Sequence, residues 1–370
     1  MMQKNDSKEM FWCQRCLTPG TRPRITFNDE GVCNACLWHD KKQKEIDWNK
    51  KWERLSEICR KFRRDGDCPD VIVPCSGGKD GSYVAWKLKH DFGMHPVCIT
   101  FMPQTQTWLG RQNLENFRAA GFDHVTLAPN VEHYRKIAKT FFLEQGRPKW
   151  PFVMGISTAI FQYAINFKIP FIMYGEEGEG EYGGSSEAKE RIDRQYLINY
   201  YYEGNDPSKY GFWWSLPPQD QIDKLFPTHW SKFEDWDPEE HAKAASKNCG
   251  LQMMVGGSIG TFTNYSQLDD IFQDLHAYMV YIKYGFGRCT SDVSIEIRRG
   301  RMTRSEGVKL VNKLDGLFPL EYLPVYLDYF EMSLNDFWNV IDRFANKEIL
   351  RKGNSEERPW VLKEQPKQCA

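Results

Sequence analysis

The sequence predicts an α/β protein in which helices cover both faces of a parallel sheet. From residue 70 to about residue 175, short apolar runs alternate with amphipathic stretches. A glycine-rich turn, PCSGGKDGS, separates the first apolar run from the first amphipathic stretch. Alternation of this kind is typical of parallel sheets, because each crossover between neighbouring strands lays a helix over the sheet.

The apolar runs DVIVPC, HPVCITF and HVTLAP are predicted to be strands, and PFIMYG is predicted to be a strand that leads into the acidic loop EEGEG. The stretches between them, KDGSYVAWKLKHDFG, LGRQNLENFRAAGF, VEHYRKIAKTFFLEQ and STAIFQYAINFKI, are predicted to be helices. Residues 46–65 place Trp48, Trp52, Leu55 and Cys59 on one helical face, which indicates a connecting helix.

Helical patterns return near the C-terminus, in residues 267–285 and 333–350. Ser333 with Asp336 three residues later resembles a capping pair at the start of the second of these helices. The last 15 or so residues are polar, and we expect them to be frayed.

Charge and cysteine content narrow the functional class. The chain has 370 residues and a formal net charge of −1, without the basic excess typical of proteins that mainly grip nucleic acid. No apolar run reaches the roughly 18 residues of a membrane span. The N-terminal MMQKNDSKEMFW lacks the apolar core of a secretory signal. We therefore expect a cytoplasmic protein without membrane insertion, in which the 11 cysteines do not form a disulfide framework.

Four of these cysteines have the spacing of a metal site. Cys13 and Cys16 form one CxxC pair, Cys33 and Cys36 form a second, and sixteen residues separate the pairs. Two such pairs supply four thiolates, the ligand set of a structural zinc ion with no open coordination position. An iron–sulfur centre or a fortuitous pattern is the alternative. The pattern does not decide whether the module contacts nucleic acid, docks a partner or braces the start of the chain.

The glycine-rich turn is suited to binding phosphate. Gly77 and Gly78 allow the backbone to turn after a buried strand, so that several N–H groups and the positive end of the next helix converge. Lys79 can neutralise a phosphate oxygen, and Asp80 can hold Mg²⁺ directly or through water. The turn is too short for the GxxxxGK[ST] nucleotide loop. A plain strand–turn–helix link is the alternative interpretation.

SGGKDG resembles the pyrophosphate-loop signature of the N-type ATP pyrophosphatases, which share an adenine nucleotide α-hydrolase-like fold. The usual signature ends in Lys-Asp-Ser, whereas this chain has Gly81 with Ser82 one place later. Together with FWCQRCLTPGTRPRITFNDEGVCNAC, MYGEEGEGEYGG and YGFGRCTSDVSIEIRRGRMTRSEG, the loop is similar to motifs of the N-acetyl sugar amidotransferases of surface-polysaccharide and flagellar-glycan biosynthesis. That resemblance implies ATP-dependent conversion of a sugar acetamido group into an acetamidino group.

The resemblance also implies roles for individual residues. The residues expected to hold the ATP pyrophosphate are Ser76, Gly77, Gly78, Lys79, Asp80, Gly81 and Ser82, and those expected to line the adenine pocket are Phe101 and Met102. Glu176 and Glu177 follow the last clear strand and should face the site, where they would bind Mg²⁺ or steer ammonia. A solvated acidic loop is the alternative. Lys79, Asp80, Glu176 and Glu177 are therefore the catalytic candidates.

Arg288, Thr290 and Asp292 lie in a Gly-flanked turn and are the candidates for binding a nucleotide-activated sugar. For the arginines that follow them, a charged helix face paired with Glu296 is an equally good interpretation. The sequence shows no glutaminase signature, so the resemblance implies ammonia from a separate glutaminase with a channelling subunit of the histidine-biosynthesis type. ATP, Mg²⁺ and structural Zn²⁺ are the expected cofactors, and nucleic acid is not an expected partner.

Two other functions remain open at this point. A tRNA-thiolating enzyme also joins a zinc-binding module to a pyrophosphate loop, but it usually needs further catalytic cysteines and a basic face. A zinc-ribbon binding protein with an inactive nucleotide domain is the third possibility, and the intact Lys79 and Asp80 argue against it. The predicted domains are a four-cysteine zinc ribbon-like module (1–45), a connecting helix (46–67), an ATP pyrophosphatase domain (68–200), and a substrate-binding insertion with a helical C-terminal region (201–370).

Overall fold

A five-stranded parallel sheet forms the centre of the protein. The structure is a computed structural model that describes residues 10–184, 190–202, 205 and 215–367. The strand order is β3-β2-β1-β4-β5, with all neighbours parallel. The strands are β1 (Val71–Pro74), β2 (Pro96–Phe101), β3 (Asp123–Leu127), β4 (Phe171–Tyr174) and β5 (Phe226–His229).

Helices cover both faces of this sheet. The α-helices in the described part of the chain are α1 (Asn34–Lys44), α2 (Trp48–Phe62), α3 (Lys79–His90), α4 (Trp108–Ala119), α5 (Val131–Gln145), α6 (Trp150–Asn166), α7 (Gly178–Tyr182), α8 (Arg194–Tyr196), α9 (Gln219–Ile222), α10 (Pro238–Cys249), α11 (Phe272–Tyr284), α12 (Arg288–Arg298), α13 (Arg304–Leu314), α14 (Leu323–Phe330) and α15 (Leu334–Phe344).

Alternate side chains of the buried strands enter two separate cores. Ile72 packs with apolar side chains of α5 and α6, whereas Val71 and Val73 pack with side chains of α2, α3 and α4. Because successive side chains of a strand point to opposite faces, a four-residue strand serves both cores. The predicted fold class is confirmed: a parallel sheet with helices on both faces, a cysteine-bearing N-terminal module and a largely helical C-terminal region.

The sheet extends further along the chain than predicted. The four predicted strands are present, but β5 adds a fifth strand beside β4, from a stretch that the sequence analysis assigned to the substrate-binding insertion. The boundary proposed at residue 200 therefore divides the sheet. β5 has the sequence FPTH, so it lacks an apolar run of the kind that marks β1, β2 and β4.

The C-terminal region is helical and closes with a hairpin. Ser333 caps α15 by accepting a hydrogen bond from the backbone N–H of Asp336, as the sequence predicts. The expectation of a frayed tail is wrong for the residues that form β7 (Arg358–Leu362), which pairs antiparallel with β6 (Leu350–Ser355). Trp360 and Leu362 are buried in the helical core and fix the hairpin there. Across the described residues, no helix is both long enough and apolar enough to cross a membrane.

Candidate active site

The glycine-rich turn lies between the end of β1 and the start of α3, at the carboxyl edge of the sheet. Gly77 has φ +80°, and a Cβ there would lie 2.7 Å from the backbone nitrogen of Leu114. A Cβ at Gly81 would lie 2.8 Å from the Cα of Cys75. Both glycines are therefore required by close backbone approach, and α3 begins directly after Gly78 with its free N–H groups facing the turn.

A cavity of about 280 Å³ opens over this turn. Ser76 to Gly81 form one side of it, and Tyr265 to Asp269 with Gln273 form another. Glu176, which follows β4, and Arg288, the first residue of α12, complete its charged lining. The cavity thus brings together three motifs that are up to about two hundred residues apart in the chain, which is the arrangement expected for a ligand at the carboxyl ends of parallel strands.

Asp80 lies at the centre of a network of donors. Its Oδ1 accepts a hydrogen bond from Trp236 Nε1 at 2.8 Å and pairs with His241 Nδ1 at 2.9 Å, and its Oδ2 pairs with Lys79. Gly175 makes room for this carboxylate, because a Cβ there would lie 2.8 Å from the Cβ of Asp80. The Asp80 side chain is consequently fixed on both oxygens.

The charges of this network perturb one another. Burial alone raises the pKa of Asp80, but the charge of Lys79 and the contact with His241 outweigh it and hold the pKa below its usual range. Burial lowers the pKa of Lys79, and the charges of Asp80 and Glu176 overcome this effect and raise it. Burial and the charge of Asp80 raise the pKa of Glu176 to about 7. At neutral pH, Glu176 can therefore both hold and release a proton.

Arg288 is the one predicted substrate-binding residue that lines the cavity. Its Nε lies 2.9 Å from Asp292, which also accepts hydrogen bonds from Thr261 and Thr263. Thr290 points away from the cavity and binds the buried carboxylate of Asp315. Asp292 therefore orients Arg288, while Thr290 fixes the start of α12 through Asp315.

Four other predicted residues lie outside this cavity lining. Ser82 is buried beside Cys75, with 3.7 Å between its Oγ and the Cys75 Sγ. Phe101 is 2% exposed and lies in the core beneath α6. Met102 is half-buried, and its backbone N–H donates to Leu127. Glu177 caps α7 and accepts a hydrogen bond from the hydroxyl of Tyr196 at 2.8 Å.

Sequence reasoning missed Trp236 and His241, the two partners of Asp80. Trp236 lies between β5 and α10, and His241 lies in the first turn of α10, in a stretch where the sequence shows no recognised motif. His241 stacks on Tyr83 of α3, with ring centroids 3.9 Å apart, so the packing of α10 against α3 delivers it to Asp80. The sequence signal was the helix start at Asp237-Pro238, since Pro at the first helical position is a recognised N-terminal mark.

The cavity offers oxygen donors that suit Mg²⁺. Both oxygens of Asp80 already have partners, so binding the ion there directly would require Lys79 to move. Glu176 and Asp269 are the other carboxylates of the lining. Carboxylates together with phosphate oxygens are the usual Mg²⁺ environment, so the donor set fits the ion through these two residues.

The four predicted metal-ligand cysteines converge. Their sulfur atoms all lie within 4.8 Å of one another, with 3.9 Å between Cys13 and Cys36 and 3.6 Å between Cys16 and Cys33. Tetrahedral zinc with Zn–S bonds of about 2.3 Å requires S···S separations of about 3.8 Å. The cluster, fully buried at the N-terminus of α1, therefore fits structural zinc.

Comparison with known proteins identifies the C-terminal part of the chain. Residues 259–366 match the family model "LPS biosynthesis protein WbpG-like, C-terminal domain", a stretch that contains Arg288 and much of one cavity wall. A search of curated proteins gives no match.

Two solved structures are similar to the chain. A predicted subunit of tRNA methyltransferase from Methanocaldococcus jannaschii is 15% identical, over 58% of this chain and 88% of its own, with a TM-score of 0.31. The NMN synthetase from Francisella tularensis is 12% identical, over 57% of this chain and 90% of its own, with a TM-score of 0.26. Likenesses this weak carry no argument about function. The match to the WbpG-like lipopolysaccharide biosynthesis model covers 108 of the 370 residues, and it supports the family that the sequence motifs predicted.

Proposed function

We propose that this protein is an ATP-dependent, AMP- and pyrophosphate-forming amidotransferase of the carbon–nitrogen ligase type. It converts the acetamido group of a nucleotide-activated sugar into an acetamidino group, for O-antigen or flagellar-glycan synthesis. One observation carries the proposal. The glycine-rich loop, Lys79, Glu176 and Arg288 line a single cavity, in a chain with a WbpG-like domain.

The first step activates an unreactive oxygen. The acetamide oxygen attacks the α-phosphorus of ATP, the bond between the α and β phosphates breaks, and pyrophosphate leaves. The product is an O-adenylylated imidate in which the amide nitrogen, protonated and doubly bonded to carbon, now carries a positive charge. The free N–H groups at the start of α3 and the ammonium of Lys79 stabilise the charge that develops on the leaving pyrophosphate. Mg²⁺ would supply further neutralisation of the phosphate charge when bound.

The second step replaces the oxygen with nitrogen. Ammonia attacks the imidate carbon, a proton leaves the new nitrogen, and AMP departs to give the amidinium product. Glu176 is placed in the cavity lining to accept that proton, and its raised pKa, about 7 through burial and the charge of Asp80, matches the working pH. Arg288 is placed to pair with a phosphate or carboxylate of the sugar nucleotide.

The cysteines of the cavity favour this reaction over tRNA thiolation. Among the described residues that line the cavity, Cys75 is the only cysteine. Burial raises its pKa to about 11, so it is a poor thiolate nucleophile. Thiolation and the release of ammonia from glutamine both need an activated thiol, and Cys75 does not supply one. Ammonia would therefore come from the separate glutaminase and channelling subunit expected from the sequence.

The test is a product assay with purified protein, Mg-ATP, ammonium salt and a UDP-linked diacetamido uronic acid. We expect AMP to form together with a sugar in which one oxygen has been replaced by NH, detected by mass spectrometry. AMP without a change in this sugar would redirect the acceptor to a nonulosonic acid and then to tRNA.

The matched control for this assay is a pair of lysine variants on α3. Lys79→Met removes the phosphate-facing charge, whereas Lys89→Met removes a partly exposed lysine near the other end of the helix. We expect AMP formation to be lost in the first variant and retained in the second. Equal activity of the Lys79→Met variant and the wild type would contradict the proposed site.

A further inference from the structure

One buried lysine of the cysteine module holds two carboxylates from different parts of the chain. Lys42, in the last turn of α1, is 2% exposed. Its Nζ lies 2.7 Å from the carboxylate of Glu181 in α7 and 3.0 Å from that of Asp235. A buried ammonium needs such partners, because removing its charge from water is costly unless it is paired.

The residues next to these two carboxylates belong to the active site. Tyr182 follows Glu181, Trp236 follows Asp235, and their rings meet edge to face with centroids 5.9 Å apart. Trp236 donates to Asp80 at 2.8 Å. Lys42 therefore holds, one residue away on each side, two rings that are in contact with each other, and one of them, Trp236, binds Asp80.

Other side chains also hold these two segments, but each of them binds only one of the two carboxylates. Trp38, also on α1, donates to Glu181 at 3.1 Å. Arg299, just after α12, pairs with Asp235 at 3.1 Å. Lys42 differs from both because it bridges the two segments.

The cysteine cluster determines where Lys42 lies. Cys33 is the N-cap residue of α1 and Cys36 lies in its first turn, so half of the predicted zinc ligands are at the start of the helix that carries Lys42 near its end. The cysteine module also touches the end of α7 directly, since Asn34 donates to the carbonyl of Gly184 at 2.6 Å. The structure thus favours a bracing role among the three uses that the sequence left open.

We propose that Lys42 is a positioning residue through which the cysteine module holds α7 and Trp236 in place around Asp80. Its effect on turnover rests on the proposed function, but its effect on these two segments does not. The primary test is therefore hydrogen–deuterium exchange followed by mass spectrometry, which requires no substrate.

The experiment compares Lys42→Met with Lys41→Met, an exposed neighbour on the same helix. In Lys42→Met we expect the amides of residues 178–184 and 235–237 to exchange on the order of 10-fold faster, because two buried carboxylates lose a partner. Lys41→Met should match the wild type, and both variants should retain wild-type zinc content. Unchanged amide exchange rates in both segments would overturn the proposal. An equal increase in exchange rate throughout the chain, including the hairpin of β6 and β7, would overturn it as well.

Turnover supplies the second readout. If the wild type forms AMP, Lys42→Met should lower kcat by up to about 10²-fold, with little change in the KM for ATP, because misplacement acts on the reacting geometry. An equal loss in Lys41→Met would overturn the proposal.

If Lys42→Met fails to fold, Glu181→Gln takes its place. This variant keeps the shape of the side chain but weakens the bridge to Lys42, so the amides of residues 178–184 should exchange faster than in the wild type. Inactive wild-type protein would count against the proposed function alone, since the exchange result stands by itself.

Discussion

Glu176 gives the sharpest prediction, because stability and activity should respond to its replacement in opposite directions. Burial and the charge of Asp80 raise the pKa of Glu176 from its usual 4.5 to about 7. A raised folded-state pKa means that the folded protein binds the proton more tightly than the unfolded chain does. The stability that this provides is complete below about pH 4.5 and is lost as the pH rises through 7.

The pKa difference sets the size of the effect. At 1.36 kcal/mol for each pKa unit, ionised Glu176 costs at most about 3 kcal/mol at pH 8. The side chain is half-buried at the cavity wall, so solvent reduces this cost, and we expect a measured value of about 1 to 2 kcal/mol. Glu176→Gln has no charge to bury and should be more stable than the wild type by that amount at pH 8.

The assay is urea unfolding of wild type and Glu176→Gln at pH 5 and pH 8, alongside AMP formation at the same pH values. Relative to the wild type, Glu176→Gln should gain stability at pH 8 and little at pH 5. We expect the activity of the wild type to rise between pH 6 and 8, and this rise should be absent in Glu176→Gln. Glu348→Gln, which changes an exposed glutamate, is the control. The reasoning would be refuted if Glu176→Gln were destabilised at pH 8 or shifted equally at both pH values.

Three further predictions concern the loop, the Asp80 network and the cysteine cluster. Gly81→Ser should lower the free energy of unfolding by about 1–3 kcal/mol, because the added side chain overpacks against the preceding loop. Gly78→Ala should be tolerated, because the nearest neighbour of its Cβ lies 3.5 Å away. Thermal unfolding of both variants checks this difference. Trp236→Phe removes the hydrogen bond to ionised Asp80 and should cost about 1.5–3 kcal/mol in urea unfolding, and wild-type stability would contradict that network. Cys16→Ala should abolish stoichiometric zinc binding and lower the Tm. A chelator should lower the Tm of the wild type but not that of the variant. Zinc retained by the variant would contradict the four-thiolate site.

The sequence predicted the elements whose pattern is local. The first four strands alternate with amphipathic helices, and the turn after β1 needs glycines at positions that the spacing identifies. The cysteine spacing likewise predicted a cluster, because two CxxC turns can meet around one ion wherever the chain between them runs. These features depend on residues that are close together in sequence.

Features that depend on long-range packing were not predictable in the same way. β5 has the sequence FPTH, with polar Thr228 and His229 in place of an apolar run, so its pairing with β4 is what identifies it as a strand. Trp236 and His241 reach Asp80 because α10 packs on α3, and no spacing in the sequence indicates that contact. β7 looked like part of a polar tail because its two buried side chains, Trp360 and Leu362, are separated by a less buried one.

In the candidate site, too, local features were predictable from the sequence and features that depend on long-range packing were not. Lys79, Asp80, Glu176 and Arg288, four of the predicted site residues, line one cavity, and their chemical roles stay predictions. Thr290 has the right residue type in the right turn, but its hydroxyl satisfies the buried Asp315 instead of facing the cavity. Sequence reasoning can place a turn, whereas the direction of each side chain within it depends on which buried group needs a partner.

The central claim is that this protein transfers AMP to the acetamide oxygen of a sugar. The most direct measurement is a single turnover with a sugar nucleotide whose acetamido oxygen carries a heavy isotope, followed by mass spectrometry of the released nucleotide. The account predicts AMP that contains the heavy oxygen, because the oxygen that attacks the α-phosphorus leaves with it. Unlabelled AMP would show that water attacked the phosphorus, and ADP would show that a different bond was cleaved; either result would contradict the account.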